Sequence, residues 1–232
     1  MKALIPLAVF AAVCASAGLV FWLQLRKLRR EAFIRDYAWP PGLLDKLQRR
    51  RGFGRKESAL VAEGLRAFFL AYLKSGRRYV AMPSEAADQL WHEFILYTRD
   101  YDRFCEQAFG KKLHHTPAVA LAPEQRASNE GLRRVWTLCC KEENIDPRNP
   151  TRLPLLFALD RKLKFPGGYH YEAKCEALRA RGVPTQCGGD FSSTSIDGGS
   201  DGFGASADGS SEGGGDGGGD GGGGGCGGGG GD

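Results

Sequence analysis

Apolar side chains recur along most of the chain at the three- and four-residue spacing of amphipathic helices. Residues 56–75 show this spacing clearly, and residues 155–163 repeat it over a shorter stretch. No long stretch alternates apolar and polar residues as a half-buried strand does. Glycine and proline interrupt the pattern, which leaves five or six helical segments between residues 40 and 182. The pattern therefore predicts an all-α domain.

The helical segment at residues 87–109 is the richest in aromatic side chains. Ser84 is its expected N-cap, and Gly110 is its expected end. On one continuous helix, the aromatic side chains share a core-facing side. Asp88 and His92 then lie one turn apart on the opposite side.

The first residues follow a different pattern, because an almost unbroken apolar run extends from Ala3 to Leu25. About 20 apolar residues suffice for a helix to cross a bilayer. We therefore expect residues 1–25 to form a transmembrane anchor. The alternative is a secretory signal cleaved at Ala15–Ala17, but the chain stays apolar beyond that site. Basic residues follow the run, which predicts a single-pass inner-membrane protein with a cytoplasmic C-terminal domain.

Composition divides the chain into four parts. After the anchor at residues 1–25, we expect a basic juxtamembrane helix at 26–39 and the helical domain at 40–184. Residues 185–232 form a Gly/Asp-rich tail, predicted to be disordered because it cannot bury enough apolar surface. The net charge of +5 divides into −8 for residues 188–232 and +13 for residues 1–187.

The basic body favours an anionic partner. Its charges gather beside the expected anchor, so an anionic lipid surface is the first candidate, and another protein is the alternative. The sequence argues against nucleic acid as the partner, because no recognition motif accompanies the charge. The candidate membrane-surface residues are Arg26, Lys27, Arg29, Arg30, Arg49, Arg50 and Arg51.

Histidines are scarce in the chain, yet three of its four fall near one another in sequence, at His92, His114 and His115. A return of the chain after Gly110 could bring the His114/His115 pair toward His92 and Asp88. Carboxylate and imidazole groups suit Zn²⁺ or a similar divalent metal. Two alternatives stay open: histidines that only bond to neighbouring elements, and acid–base catalysis without a metal.

Familiar catalytic motifs are incomplete or absent. His92-Glu93 begins the zinc-protease motif H-E-x-x-H, but Leu96 stands where its second histidine belongs. C-x-x-C does not occur, and G-x-S-x-G occurs only within the Gly/Asp-rich tail, at residues 198–202 and 209–213, where no predicted strand or helix flanks it. The seven cysteines are expected to be free thiols in a reducing cytoplasm. The sequence thus favours a non-catalytic binding or scaffold role at the membrane. The alternative is a metal-dependent enzyme or metal sensor using Asp88, His92 and the His114/His115 pair.

One stretch carries a family resemblance. Its spacing, D-x-x-W-H-x-F-I-x-x-T-x-x-Y-x-x-F-C followed by F-G-x-x-L-H-H-x-P, resembles the core of the glycine-rich domain-containing protein family. The resemblance covers residues 87–117 closely and 40–180 loosely, and it implies no established reaction. The matching residues are Asp88, Trp91, His92, Tyr101, Cys105, Gly110, His114 and His115.

Deleting residues 188–232 tests whether the acidic tail shields the basic body. We expect the deletion to strengthen binding to anionic vesicles at low salt, because the tail and the lipid compete for the same positive charges. Co-sedimentation of the full chain and the truncated chain measures the difference. Equal binding by the two chains contradicts shielding.

Overall fold

Helices dominate the computed structural model, which describes residues 4–115, 129–175, 180 and 186–192. The all-α prediction is therefore confirmed. The helices are α1 (Leu4–Asp36), α2 (Leu43–Arg51), α3 (Arg55–Lys74), α4 (Glu85–Leu96), α5 (Thr98–Phe109), α6 (Glu130–Glu142) and α7 (Leu155–Leu163).

Helix α3 occupies the centre of the domain and packs against α1, α2, α4, α6 and α7. Phe68 and Phe69 are its fully buried aromatics. The Phe69 ring lies 4.9 Å from Phe104 of α5, and the Phe68 ring lies 5.1 Å from Trp91 of α4. These contacts build an aromatic core beneath the helix that carries His92.

The close approach of α3 to α7 depends on Gly64. A Cβ at this position would lie 2.8 Å from the Leu159 side chain. Both residues lie in the buried interior. Glycine is needed here because the neighbouring helix occupies the space of a side chain.

The N-terminal helix corrects the predicted membrane anchor. Within the residues that the structure describes, no helix is long and apolar enough to cross a membrane. The prediction of a single-pass inner-membrane protein is therefore wrong.

The C-terminal part of α1 belongs to the domain. Ile34 is fully buried, and the Phe33 ring lies 5.8 Å from Phe104 of α5. Residues 26–36, which lie within the predicted basic juxtamembrane helix at 26–39, are the last part of α1 and reach the core.

The aromatic-rich segment is two helices, whereas the sequence predicted one. Tyr97 interrupts it with φ −81° and ψ 62°, between α4 and α5. Both ends follow the prediction: Ser84 accepts a hydrogen bond from the Ala87 amide, and Gly110 ends α5 with φ 71°. Phe94 of α4 and Tyr101 and Phe104 of α5 are all buried, so both helices turn their aromatic side chains to one core.

Two short strands close the described part of the chain. β1 (Tyr171–Glu172) pairs in parallel with β2 (Gln186–Cys187), and a 3₁₀-helix (Gly188–Ser192) follows. The helix predicted at residues 171–181 thus begins as a strand. The tail predicted from residue 185 contains ordered elements through residue 192, while residues 193–232 lie outside the described residues.

A disulfide joins Cys175 to Cys187, with their Cα atoms 5.8 Å apart. This bond corrects the expectation that all the cysteines are free thiols. Cys105, Cys139 and Cys140 are free and buried. Burial raises the pKa of each of these three thiols, which disfavours the reactive thiolate.

Asp160 of α7 is almost completely buried, and its carboxylate accepts four hydrogen bonds. Three come from the beginning of α4: the Ser84 hydroxyl at 2.6 Å, the Glu85 amide at 2.9 Å and the Ala86 amide at 3.1 Å. The fourth comes from the Tyr169 amide at 2.9 Å. The carboxylate therefore binds the positive end of α4 and the segment before β1 at the same time.

Replacing Asp160 with Ala is expected to reduce the free energy of unfolding by about 3–5 kcal/mol, because four donors would lose a buried charged acceptor. Urea unfolding measures this loss. Asp102→Ala is the control, since the Asp102 side chain is 56% exposed and pairs with Lys112 at the surface. Equal stability of the two variants would contradict the role assigned to Asp160.

Candidate metal centre

Helix α4 places three polar residues along one edge. Glu85, Asp88 and His92 stand three and four positions apart, so they follow one another along the same side of the helix. The opposite side, which includes Leu90 and Phe94, is buried in the core. The amphipathic pattern of α4 thus fixes which residues face outward.

The chain returns toward α4 directly after α5. Arg30 of α1 lies against Gly110, where a side chain would collide with its guanidinium group. Leu113 is buried, and its carbonyl accepts a hydrogen bond from the Tyr101 hydroxyl. That hydroxyl also accepts a hydrogen bond of 3.1 Å from the Trp91 indole. Leu113, two residues before His115, is therefore bonded to Tyr101 of α5, and Tyr101 is in turn bonded to Trp91 of α4.

His115 reaches the carboxylate of Asp88. Its Nε2 lies 2.9 Å from Asp88 Oδ1, and His92 Nδ1 lies 3.3 Å from Asp88 Oδ2. The two imidazole rings are 4.2 Å apart between centroids. One ligand atom from each of these three residues lies within 4.8 Å of the other two. His114 is exposed and stands outside this group.

The separations suit a small cation. Zinc bonds of about 2.0–2.1 Å in a tetrahedron place neighbouring ligand atoms roughly 3.3 Å apart. The two separations from Asp88, one from each carboxylate oxygen, lie near this value, and the ligand atoms of all three residues lie within 4.8 Å of one another.

The three side chains differ in exposure. Asp88 is 18% exposed and His115 is 19% exposed, whereas His92 is 54% exposed. The His115 ring also packs against the Trp91 ring at 4.6 Å between centroids. Two candidate ligands are thus held by the domain, and the third stands toward solvent.

Negative charge gathers at the beginning of α4. Burial raises the pKa of the Glu85 carboxyl, and the carboxylates of Asp88 and Asp160 add to that rise. Burial raises the pKa of the Tyr169 hydroxyl to about 12, and the nearby negative charge of Glu85 adds to that rise. Several carboxylates close together favour a cation in their midst.

Sequence patterns did not identify Glu85 and Tyr169. Glu85 could have been found from its spacing, because it precedes Asp88 by three residues on the same helix. No local pattern could indicate the second, because Tyr169 follows Glu85 by 84 positions in the chain.

The predicted membrane-surface residues have different surroundings in the structure. Arg50 forms an ion pair with Glu93, and the Arg51 guanidinium lies 5.1 Å from the centre of the Phe165 ring. Arg30 packs at the end of α5. Anionic-surface binding stays a prediction, since every member of the set except the partly buried Arg30 is exposed.

The chain is an all-α protein in which an Asp/His/His group lies beside an aromatic core. It belongs to the UCP032817-like family, whose model matches residues 29–191. The expected membership of the glycine-rich domain-containing family is wrong. That expectation rested on one stretch, whereas the family match spans the helical domain. No curated protein and no solved structure shows a significant match to the chain.

Tyr101→Phe tests whether the Tyr101 hydroxyl holds Leu113, and with it His115, in place. The change removes the hydroxyl that bonds to Leu113 and Trp91, so we expect a loss of about 1–3 kcal/mol in unfolding free energy. The NMR signals of the His115 ring should also shift toward those of a solvent-exposed imidazole. Unchanged stability and unchanged His115 signals would contradict this role.

Proposed function

We propose that the domain binds a divalent transition-metal ion, with zinc the best fit, through Asp88, His92 and His115. The observation that carries this proposal is the convergence of two imidazoles on one carboxylate at 2.9 Å and 3.3 Å. Two nitrogen ligands and one oxygen ligand match the preferences of zinc and of neighbouring first-row metals.

Charge supports the same proposal. The carboxylates of Glu85 and Asp88 stand near each other at the beginning of α4 and raise the free energy of the charged site. A divalent cation relieves this repulsion. Binding weakens in acid, because protons compete with the ion for both imidazoles and for the carboxylate.

The proposed ion has a structural effect and a chemical one. It joins α4 to the segment that follows α5, and so stabilises their contact. Three protein ligands also leave at least one coordination position for solvent or another molecule. These properties suit a metal sensor or a metal-dependent binding domain.

A scaffold role with an anionic partner is the second candidate. The exposed basic residues Arg26, Lys27 and Arg29 follow one another on α1 and favour it. This role uses a different surface from the proposed metal site, so one protein can have both.

Zinc binding by the purified domain tests the proposal. We expect one ion per chain by elemental analysis and titration with a zinc chelator. His92→Ala, His115→Ala and Asp88→Asn should each weaken binding by ~100-fold or more, above the 10–100-fold typical of residues that only support a ligand.

His114→Ala is the matched control, because it removes a neighbouring imidazole that stands outside the group. It should bind zinc as the wild type does. Wild-type protein without stoichiometric zinc would overturn the proposal. So would an equal loss of affinity in the His114→Ala and His115→Ala variants.

A further inference from the structure

A cavity of about 400 Å³ lies between α3 and α6, and residues of α1 and α7 also line it. Small-molecule pockets in proteins measure roughly 300–1,000 Å³, so this volume suits a small ligand. Asp88, His92 and His115 are not among its lining residues. The α3–α6 cavity is therefore separate from the proposed metal site.

Two small side chains on α3 account for the space. Ala67 and Ala71 stand one turn apart, so both lie on the side of α3 that lines the cavity. An alanine side chain ends at Cβ and leaves room that a larger residue would occupy. Leu138 and Cys139 of α6 line the cavity as well. The cavity thus depends on residue size along one face of α3.

The buried part of the lining is apolar. Leu70, Ala71 and Cys139 are 5%, 2% and 3% exposed. Burial raises the pKa of the Cys139 thiol, so the sulfur stays uncharged and behaves as a small apolar group. Apolar ligand surface placed against these side chains is removed from water, which is favourable.

Charged side chains also line the cavity, and an ion-pair network joins three of them. Glu142 of α6 pairs with Arg35 of α1 and with Lys74 of α3. Lys74 Nζ also lies 3.3 Å from a carboxylate oxygen of Glu31. Burial acts to raise the pKa of the Glu142 carboxyl, but Lys74 and Arg35 lower it below its usual value. Glu142 is therefore charged at neutral pH, and two cations already compensate for that charge.

The other three charged lining residues are paired too. Arg66 donates a hydrogen bond of 3.1 Å to Glu63 and two more to backbone carbonyls. Glu143 accepts hydrogen bonds from the Arg152 guanidinium at 2.5 Å and from the Leu155 amide at 2.6 Å. A charged ligand would thus meet no unpaired opposite charge among the described residues that line the cavity. It would lose its water without compensation.

We propose that the α3–α6 cavity binds an uncharged, largely apolar small molecule. The buried apolar side chains stabilise such a ligand, and the paired charges disfavour an ionic one. This inference goes beyond the proposed function, because it uses none of the proposed metal ligands and does not depend on an ion.

N-phenyl-1-naphthylamine tests the ligand class, because it is uncharged, largely apolar and more fluorescent away from water. Its matched counterpart is 8-anilino-1-naphthalenesulfonate, which has the same ring system and one added negative charge. Fluorescence titration of the full chain should show saturable binding of the uncharged probe. The charged probe should bind at least about tenfold more weakly, since its sulfonate loses water without gaining a counter-charge.

Ala67→Leu tests the location of the site. The larger side chain fills part of the cavity, so we expect about tenfold weaker binding of N-phenyl-1-naphthylamine. Ala59→Leu is the matched control, because Ala59 is an exposed residue of the same helix and does not line the cavity. It should leave the affinity unchanged. Urea unfolding checks that both variants fold.

NMR of the wild type locates the probe without relying on any variant. Intermolecular NOEs from N-phenyl-1-naphthylamine should reach the methyl groups of Leu70 and Leu138. Contacts confined to exposed apolar residues of α1, such as Phe21, would overturn the proposal, as would the absence of saturable binding. Equal affinity for the two probes would contradict the ligand class. Unchanged binding in a folded Ala67→Leu variant would contradict the location.

Discussion

The buried carboxylate of Asp160 is the interaction on which the arrangement of the domain depends. Burying a charge costs several kcal/mol unless hydrogen bonds compensate for the lost water. Here four donors and the positive end of a helix supply that compensation. Because those donors belong to two separate segments, one side chain determines where α4 begins and where the chain enters β1.

The polar edge of α4 follows from that constraint. A helix whose first turn is held at Ser84, Glu85 and Ala86 cannot rotate or slide against α7. The aromatic packing of Trp91 and Phe94 then fixes the opposite side of the helix. The positions of Asp88 and His92 are thus determined by capping at one end and by core packing along the other face.

Much of the helical architecture could be predicted from local sequence. Ser84 and Gly110 act as the expected helix ends because capping depends on residues close together in the chain. The break at Tyr97 could not be predicted in this way, since no glycine or proline marks it. Residue 97 adopts its conformation where α4 and α5 both pack aromatics into one core.

Long-range contacts explain the other differences. The disulfide between Cys175 and Cys187 depends on the pairing of β1 with β2, which has no local signal in such short strands. The apolar run in α1 predicted an anchor because hydropathy depends only on local composition. It carries no information about the tertiary contacts of the helix. The same helix continues into the domain, where Ile34 is buried.

Local sequence predicted the proposed metal site in part. Asp88 and His92 follow from helical spacing, but the His114/His115 pair was ambiguous. Neighbouring residues of an extended chain point to opposite sides. The hydrogen bond between Tyr101 and the Leu113 carbonyl settles which histidine turns toward α4. The choice between two adjacent imidazoles thus depends on a tyrosine on the preceding helix.

The unequal exposure of the three side chains has a kinetic consequence. Asp88 and His115 form a pair that is less than one-fifth exposed, whereas His92, although it contacts Asp88, is 54% exposed to solvent. If the proposed ion binds here, it would meet this pair first and would gain His92 by a rotamer change, which takes picoseconds to nanoseconds for an exposed side chain. Exchange of such an ion with solvent would then require no opening of the core.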